Sequence, residues 1–306
     1  MGGVQSVAVG LGSFFGVSAA LAGTGALLWY FLGRRPAKIT LVDPNVKHAL
    51  RVVDRQFISS DTMFLKLGLD TPDHILGLPV GNHIFLSARI NGELVVRPYT
   101  PISLDTQKGY VDFVIKVYKA NVHPNFPNGG KMSQYLMNIP IAQYVDLRGP
   151  AGNLHYEGKG VFQIKPDASS PPRKYQSKFV SMICGGSGIT PMYQLISYIL
   201  NNEKDCTKLA LLFANKTEGD ILLRDELEAF QSKYPQQLRV WYTVNEPPEH
   251  WNYSTGFVNE QMLSEHIYPP GDDSLVLLCG PTPMVEFACY PNLAKLNYPR
   301  DRIFTY

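Results

Sequence analysis

The sequence Gly185-Gly-Ser-Gly-Ile-Thr-Pro-Met192 stands between an apolar run at 178–184 and an amphipathic segment at 191–200. This order predicts a buried strand, a glycine turn and a helix with a proline in its first turn. The backbone N–H groups of such a turn can face a phosphate at the positive end of the helix. An ordinary tight turn remains the alternative, because the segment is not the G-x-G-x-x-G fingerprint.

The same alternation of buried and amphipathic segments continues through the second half of the chain. Strands are predicted at 178–184, 208–214, 238–244 and 274–279, and helices near 191–200, 222–232, 259–266 and 284–293. This pattern indicates a doubly wound parallel α/β sheet, whose ligands bind beyond the carboxyl ends of the strands. Cys279-Gly-Pro-Thr-Pro-Met284 begins at such an end. A buried structural cysteine is the alternative interpretation there.

In the first half of the chain the apolar residues alternate with polar ones over short segments, unlike in the second half. Short alternating segments predict strands at 50–57, 63–69, 83–90, 93–99, 110–117 and 144–148, with Asn91-Gly92 as a two-residue hairpin turn. A helix is predicted at 131–138, after Asn128-Gly-Gly130. Many short strands with a lone helix indicate a small, closed antiparallel β-barrel.

Polar residues of the first half form a second candidate anion site. Arg97, in Arg97-Pro-Tyr-Thr100, offers a planar fork for a pyrophosphate, and Tyr99 offers a ring that can stack. Gly129-Gly-Lys-Met-Ser133 places backbone donors, a cation and a hydroxyl at a helix start. A surface arginine and a capped helix are the alternative. Two anion sites in two different folds predict that the chain binds two dinucleotides.

The amino terminus differs in kind from the rest of the chain. Residues 1–33 carry no charged side chain, and the apolar run at 7–32 exceeds the roughly 30 Å hydrocarbon layer at about 1.5 Å per residue. Because basic residues follow this run at 34–38 instead of preceding it, a retained membrane anchor with a cytosol-facing remainder is predicted. Gly2 also fits an N-myristoylation pattern. A spanning anchor and a lipidated monotopic anchor therefore stay open.

Composition excludes several classes of protein. A chain of 306 residues with 45% apolar residues and a net charge of +2 is a folded protein. The sequence has no Lys/Arg cluster interleaved with aromatic residues, so it gives no indication of a nucleic-acid partner. The cysteines at 184, 206, 279 and 289 show neither zinc spacing nor a disulfide framework, which fits a reducing compartment. The predicted organisation is an anchor at 1–33, a linker at 34–46, a β-barrel at 47–150, a connecting segment at 151–176 and an α/β domain at 177–306.

Taken together, these motifs resemble the NADH–cytochrome b5 reductases, within the ferredoxin reductase-like flavoproteins. The resemblance covers about residues 41–306. It is carried by Leu78-Pro-Val-Gly-Asn-His83, Val95-Val-Arg-Pro-Tyr-Thr-Pro101, Val114-Ile-Lys-Val-Tyr118, Gly129-Gly-Lys-Met-Ser-Gln-Tyr-Leu136, Leu211-Leu-Phe-Ala-Asn215 and Gly256-Phe-Val-Asn259. It implies an FAD-binding β-barrel and an NAD-binding domain that take hydride from NADH and pass single electrons to cytochrome b5. It also implies an endoplasmic reticulum or mitochondrial outer membrane location.

The resemblance further implies roles for individual residues. Thr100 would orient flavin N5 with His83 behind it. Lys116 would stabilise negative charge on the reduced flavin and help seat the nucleotide, and Cys279 would pack beside the nicotinamide. Lys159 would meet cytochrome b5, and no metal is implied. The implied FAD-binding residues are Arg97, Pro98, Tyr99, Thr100, Val114, Lys116, Tyr118, Gly130, Lys131, Met132, Ser133 and Thr190; the implied NAD-binding residues are Gly185, Gly186, Ser187, Gly188, Asn245, Cys279, Gly280, Pro281 and Met284.

Three positions depart from the pattern of the family. Ser187 replaces a threonine in the glycine loop and retains its hydroxyl group. Asn245, followed by Glu246, stands where the family commonly has an aspartate that binds the adenosine ribose and repels a 2′-phosphate. We therefore expect a less strict preference for NADH over NADPH. Lys119 occupies a position that is often aromatic in relatives.

Two other functions remain as alternatives at this stage. The same chemistry could deliver electrons to a quinone or to another haem protein. A nucleotide-binding membrane adaptor without turnover is the alternative from another class, and in it the hydride-site residues are free to degenerate. Thr100, Lys116, Gly186 and Cys279 are all present, so we expect an enzyme and leave the acceptor open.

Overall fold

The first half of the chain folds into antiparallel strands and a helix in a computed structural model that describes residues 37–122, 124, 126–167 and 169–306. Its elements are β1 (Lys38–Ile39), β2 (His48–Phe57), β3 (Thr62–Gly68), β4 (His74–Ile75), β5 (His83–Ile90), β6 (Glu93–Tyr99), β7 (Tyr110–Lys116), α1 (Lys131–Asn138) and β8 (Tyr144–Ala151).

Six of these strands form an antiparallel sheet in the order β6-β5-β8-β2-β3-β7. The predicted β-barrel fold is confirmed as a curled sheet. β6 and β7 stand at its two ends, and within the described residues no ladder of hydrogen bonds joins them. The expected closure of the barrel is therefore not made by strand pairing.

Alternating side chains build the core of this curled sheet. Met63, Leu65 and Leu67 of β3 are fully buried, whereas the residues between them are partly exposed. Met132 and Leu136 of α1 join the same apolar cluster. Burial of each such side chain contributes about 1.5–3 kcal/mol, so the helix is fixed against the sheet by packing. Its first turn is thereby held in place.

The second half begins with a small antiparallel sheet and continues as an α/β domain. Its elements are β9 (Leu154–Gly158), β10 (Val161–Ile164), β11 (Arg173–Gln176), β12 (Phe179–Gly185), α2 (Ile189–Leu200), β13 (Lys208–Thr217), α3 (Arg224–Lys233), β14 (Leu238–Glu246), β15 (Ser254–Thr255), α4 (Glu260–His266), β16 (Ser274–Cys279), α5 (Thr282–Met284), α6 (Tyr290–Lys295) and β17 (Ile303–Thr305). Short 3₁₀ helices occupy Gly186–Gly188, Glu218–Asp220 and Arg300–Arg302, and a π-helix occupies Val285–Cys289.

The predicted doubly wound sheet is confirmed. Parallel ladders join the strands in the order β15-β14-β13-β12-β16-β17. Met182 of β12 packs in one apolar cluster with Leu195 of α2, and its neighbour Ile183 packs in another with Leu263 of α4. Successive strand residues therefore face helices on opposite sides of the sheet. This sandwich places the carboxyl ends of β12, β13, β14 and β16 on one edge.

Buried neutral groups make part of the contact between the two halves. The chain from Ile39 to Tyr306 forms one compact unit. Within it, Gln194 of α2 accepts a hydrogen bond from Gly81 N at 2.8 Å and donates one to Asn82 O at 3.3 Å. Val114 of β7 packs into the apolar cluster of the α/β domain.

The predicted membrane anchor at 1–33, including Gly2, lies outside the described residues. Among the residues that the structure does describe, no helix has the length and the apolar character needed to cross a membrane.

Candidate active site

A cleft of about 1480 Å³ is lined by residues from both halves of the chain. Pockets for one small molecule measure about 300–1,000 Å³, so this cleft has room for more than one ligand. Lys159 lies outside the cleft. The predicted residues that line it are His83, Arg97, Pro98, Tyr99, Thr100, Val114, Lys116, Tyr118, Gly130, Lys131, Met132, Ser133, Gly185, Gly186, Ser187, Gly188, Thr190, Asn245, Cys279, Gly280, Pro281 and Met284.

The first-half wall of the cleft carries long cationic side chains that already have partners. The Arg97 guanidinium donates to the carbonyl oxygen of Val96 at 2.7 Å. The Lys131 ammonium lies 2.5 Å from a carboxylate oxygen of Glu93. Both cations are exposed, so an anionic ligand can exchange with these partners. Within the described residues no side chain caps α1, and the N–H groups of a first helical turn have no acceptor inside the helix.

A glycine turn brings the start of α1 against the end of β7. Gly129 has a φ of +61°, and a Cβ there would overlap the carbonyl oxygen of Tyr118. Gly130 N donates to that same carbonyl oxygen at 2.8 Å. The Ser133 hydroxyl accepts from Tyr118 N at 3.2 Å and donates to Gly130 O at 3.1 Å. A guanidinium, an ammonium and helix-start amides thus share one wall, a donor set that fits a pyrophosphate.

Burial controls the protonation of the residues at the end of β5 and β6. The register that pairs Ile84 with Tyr99 brings His83 and Thr100 to the same end of the ladder. Burial lowers the pKa of His83, so its imidazole is neutral at pH 7. Burial also raises the pKa of Tyr99, and its phenol stays protonated. Neutral hydrogen-bonding groups therefore occupy this part of the cleft.

Lys116 does not stand free in the cleft. Its Nζ lies 2.7 Å from Asp220 Oδ1 and 2.9 Å from Asp61 Oδ2. Burial opposes the charge of Lys116, but the hydrogen bonds that its ammonium donates to the two carboxylates outweigh this effect and raise the pKa of the lysine. The pKa of Asp220 is lowered because its bonds to Lys116 and Thr217 outweigh its own burial. Sequence reasoning missed both aspartates.

The second-half wall is made of tightly packed loops. A Cβ at Gly188 would overlap the carbonyl oxygen of Cys279, and one at Gly185 would lie 2.8 Å from Met284 Sδ. The glycine turn and the Cys279-Gly-Pro loop therefore form one surface. Burial raises the pKa of Cys279 to about 12, so its thiol is protonated at pH 7. Ser187 Oγ lies 3.2 Å from the Tyr118 hydroxyl of the opposite wall.

Four polar residues lie at the carboxyl ends of β13 and β14. Asn245 is exposed and lines the cleft. The next residue, Glu246, forms an ion pair at 3.4 Å with Lys216, which also lines the cleft. Asn215 is buried, and neither polar atom of its side chain has a hydrogen-bond partner among the described residues. The sequence signal for Asn215 was a polar residue that directly follows the apolar run of β13.

Two other residues singled out in the sequence lie away from the cleft. Lys159 sits in the turn between β9 and β10 with a φ of +51°. Its backbone N–H donates to the buried carboxylate of Asp205 at 2.9 Å, and its side chain is exposed. The ammonium of Lys119 donates to the carbonyl oxygen of Ser60 at 2.7 Å.

Comparison with known families matches both halves. An oxidoreductase FAD-binding domain model matches residues 49–156. An oxidoreductase NAD-binding domain model matches residues 182–290. The two matches fall on the curled sheet and on the parallel sheet.

Individual relatives match over most of their length. NADH-cytochrome b5 reductase 2 of Gallus gallus is 54% identical over 275 residues, which cover 90% of each chain. NADH-cytochrome b5 reductase 1 of Homo sapiens is 54% identical over 273 residues, 89% of each chain. A solved structure, the cytochrome b5 reductase domain of Ulva prolifera nitrate reductase, is 37% identical with a TM-score of 0.82, covering 89% of this chain and 100% of that domain.

Proposed function

Because the chain belongs to the NADH–cytochrome b5 reductases, we propose that it passes electrons from NADH through FAD to cytochrome b5. The observation that carries this proposal is the cleft lined from both halves, since hydride transfer needs donor and acceptor rings in contact. When bound, FAD supplies the chemistry that converts a two-electron hydride into single electrons for a haem. The protein supplies binding and orientation.

The first-half wall would hold the FAD pyrophosphate. Arg97 would donate through its planar fork, and the first-turn amides of Lys131 and Met132 would donate from the start of α1. Arg97 would then leave the carbonyl oxygen of Val96. Tyr99 would pack against the flavin ring, which its protonated, half-buried phenol permits.

Neutral groups would orient the reacting atoms. The Thr100 hydroxyl would donate a hydrogen bond near flavin N5, with the neutral imidazole of His83 behind it. Cys279 would pack beside the nicotinamide as a thiol, because its raised pKa leaves no thiolate to act as a nucleophile at pH 7. These roles keep water and charge away from the path of the hydride.

The nucleotide preference would depend on the end of β14. Asn245 supplies no negative charge against a 2′-phosphate. Lys216, which lines the cleft beside it, supplies a positive charge that Glu246 partly neutralises. We expect NADH to be the better donor and NADPH to be used more readily than in a relative with an aspartate at position 245.

Cytochrome b5 would dock outside the cleft, away from its first-half wall. The exposed ammonium of Lys159, on a turn fixed by Asp205, would meet an acidic face of cytochrome b5. Such a contact raises the rate of encounter more than the affinity, and salt weakens it.

Residues 1–33 would tether the enzyme to the endoplasmic reticulum or the mitochondrial outer membrane, with its catalytic part in the cytosol. The uncharged composition of this segment and the basic residues after it support the proposal. Deletion of residues 1–33 should release a soluble protein that still reduces ferricyanide with NADH. Retention of the truncated protein on membranes, or removal of the full chain by high salt, would contradict the tether.

Stopped-flow spectroscopy tests the proposed function directly. The purified protein is reduced with NADH under anaerobic conditions and mixed with cytochrome b5, with a quinone or with another haem protein. We expect rapid reduction of cytochrome b5 and slower reduction of the others. Faster transfer to a quinone or another haem protein would reassign the acceptor, and a failure of NADH to bleach the bound flavin would reject the enzyme itself.

A further inference from the structure

Lys116 is held between carboxylates that come from different halves of the chain. Its Nζ lies 2.7 Å from Asp220 Oδ1 and 2.9 Å from Asp61 Oδ2. Lys116 ends β7, and Asp61 directly precedes β3 in the same sheet. Asp220 ends the 3₁₀ helix that follows β13 in the α/β domain. The pair of Lys116 with Asp220 therefore joins the two walls of the cleft.

Each carboxylate is fixed locally through one oxygen and meets Lys116 with the other. Asp220 Oδ2 accepts from the backbone N–H and the hydroxyl of Thr217, at 2.9 and 2.7 Å. Asp61 Oδ1 accepts from the hydroxyls of Ser59 and Thr62, at 3.2 and 3.1 Å. Because these bonds hold the carboxylates in place, little further side-chain freedom is lost when the lysine binds.

Partial burial distinguishes this cluster from a surface ion pair. The side chains of Lys116, Asp220 and Asp61 are 18%, 20% and 30% exposed. Screening by water and salt is weaker at such sites, and removal of one partner leaves a charge that is only partly solvated. The positive charge of Lys116 is already balanced by two carboxylates. It is therefore well suited to hold the walls together.

We infer that Asp220 is a positioning residue for hydride transfer, because through Lys116 it fixes how closely the FAD-binding wall and the NAD-binding wall approach each other. The inference rests on the proposed function. Asp220 itself would touch neither reacting ring. The neutral contact of Gln194 with the backbone of Gly81 and Asn82 would keep the halves together when the charge at position 220 is removed.

Hydrogen–deuterium exchange of the FAD-loaded enzyme measures the closure of the walls without turnover. Asp220→Asn should raise exchange in residues 114–118 and 186–190, which lie on opposite walls. Glu218→Gln is the matched control, because Glu218 belongs to the same 3₁₀ helix and pairs with Arg224 of its own half. Unchanged exchange in Asp220→Asn, or an equal rise in Glu218→Gln, would overturn the inference.

Rapid-reaction kinetics separate positioning from mere stability. Asp220→Asn should slow reduction of the flavin by NADH about 10- to 100-fold, the loss typical of a misplaced reacting pair. Reoxidation by ferricyanide should keep its rate, because that step needs no closure of the two walls. Asp61→Asn leaves the link across the cleft intact, so its effect should be smaller than that of Asp220→Asn.

A double-mutant cycle decides whether Asp220 acts through the lysine. In a Lys116→Met background, Asp220→Asn should change the rate of flavin reduction by less than about twofold. A full-sized effect in that background would mean that Asp220 meets the nucleotide directly, which overturns the inference. If the unmodified enzyme is not reduced by NADH, the proposed function fails, and the exchange experiment still decides whether Asp220 holds the walls together.

Discussion

The two walls of the cleft are built by opposite means. The first-half wall presents the charged ends of Arg97 and Lys131, whose present partners are a carbonyl oxygen and the carboxylate of Glu93. The second-half wall presents backbone, with Gly188 packed on the carbonyl of Cys279. A substitution in the first-half wall can therefore weaken ligand binding while the fold persists. A substitution in the second-half wall disturbs the packing of the backbone before it affects any ligand.

The largest effect is expected for a substitution that disrupts the packing of the second-half wall. Gly188→Ala should destabilise the α/β domain by about 3–5 kcal/mol, because the new Cβ overlaps the carbonyl oxygen of Cys279. Chemical unfolding followed by circular dichroism measures the loss. Gly186→Ala is the control, since its Cβ has open space and its φ of +53° costs only about 1–2 kcal/mol. Equal losses in the two variants would refute the packing argument.

The next largest effect is expected for a substitution in the first-half wall. Arg97→Ala should leave the fold intact and weaken FAD binding about 10- to 100-fold, because a charge-assisted contact to the pyrophosphate is lost. Retention of flavin absorbance through dialysis measures this affinity. Arg89→Ala is the matched control, since that exposed arginine of the neighbouring strand donates to the carbonyl oxygen of Gly92 and does not line the cleft. Normal FAD retention in Arg97→Ala would remove this residue from the pyrophosphate site.

A smaller effect, on nucleotide preference, is expected when the charge of the second-half wall is changed. Asn245→Asp should lower kcat/KM for NADPH relative to NADH about fivefold, as expected for one added charge near the 2′-phosphate in a solvated site. Steady-state kinetics with both nucleotides measure the ratio. Glu246→Gln should move the ratio in the opposite direction, because it frees Lys216. An unchanged ratio in Asn245→Asp would place the specificity elsewhere.

The smallest effect lies outside both walls. Lys159→Ala should slow reduction of cytochrome b5 about two- to threefold at low ionic strength, and the difference should fade as salt is added. Reduction of ferricyanide should keep its rate, since a small acceptor needs no docking face. An equal, salt-independent loss with both acceptors would leave Lys159 with a structural role only.

The elements predicted well from sequence are those whose signals are local. The hairpin turn at Asn91-Gly92 has both residues at positive φ, 50° and 83°, as the residue types demand. The helix at 131–138 follows a glycine pair and has a buried face, and its bounds are those of α1. In both cases a few neighbouring residues determine the backbone conformation.

The elements that escaped prediction depend on distant partners. The segment 151–176 was expected to connect the domains, and it forms β9, β10 and β11. These strands have only four or five residues, too few for a clear alternation. The helix expected at 284–293 is also interrupted, because Val285–Cys289 is a π-helix.

The candidate site shows the same division. Its glycine and arginine motifs are contiguous in sequence, so they could be found by inspection. The pairing of Lys116 with Asp220 joins residues 104 positions apart, and no motif contains both. Asn215 ends the motif Leu211-Leu-Phe-Ala-Asn215, but a polar residue after an apolar run does not by itself indicate a binding role, since many surface strands also show one.

The contact made by Gln194 has a consequence for recombination between relatives. Both of its hydrogen bonds go to main-chain groups, the N–H of Gly81 and the carbonyl of Asn82. At this contact one half contributes main-chain groups and the other contributes a single side chain. A chimera that joins residues 37–150 of this chain to the second half of a homologue therefore needs a glutamine at the position of Gln194. It should also keep Asn82, whose side-chain amide donates to the carbonyl oxygen of Leu154 at 2.6 Å and meets a main-chain group that any homologue supplies.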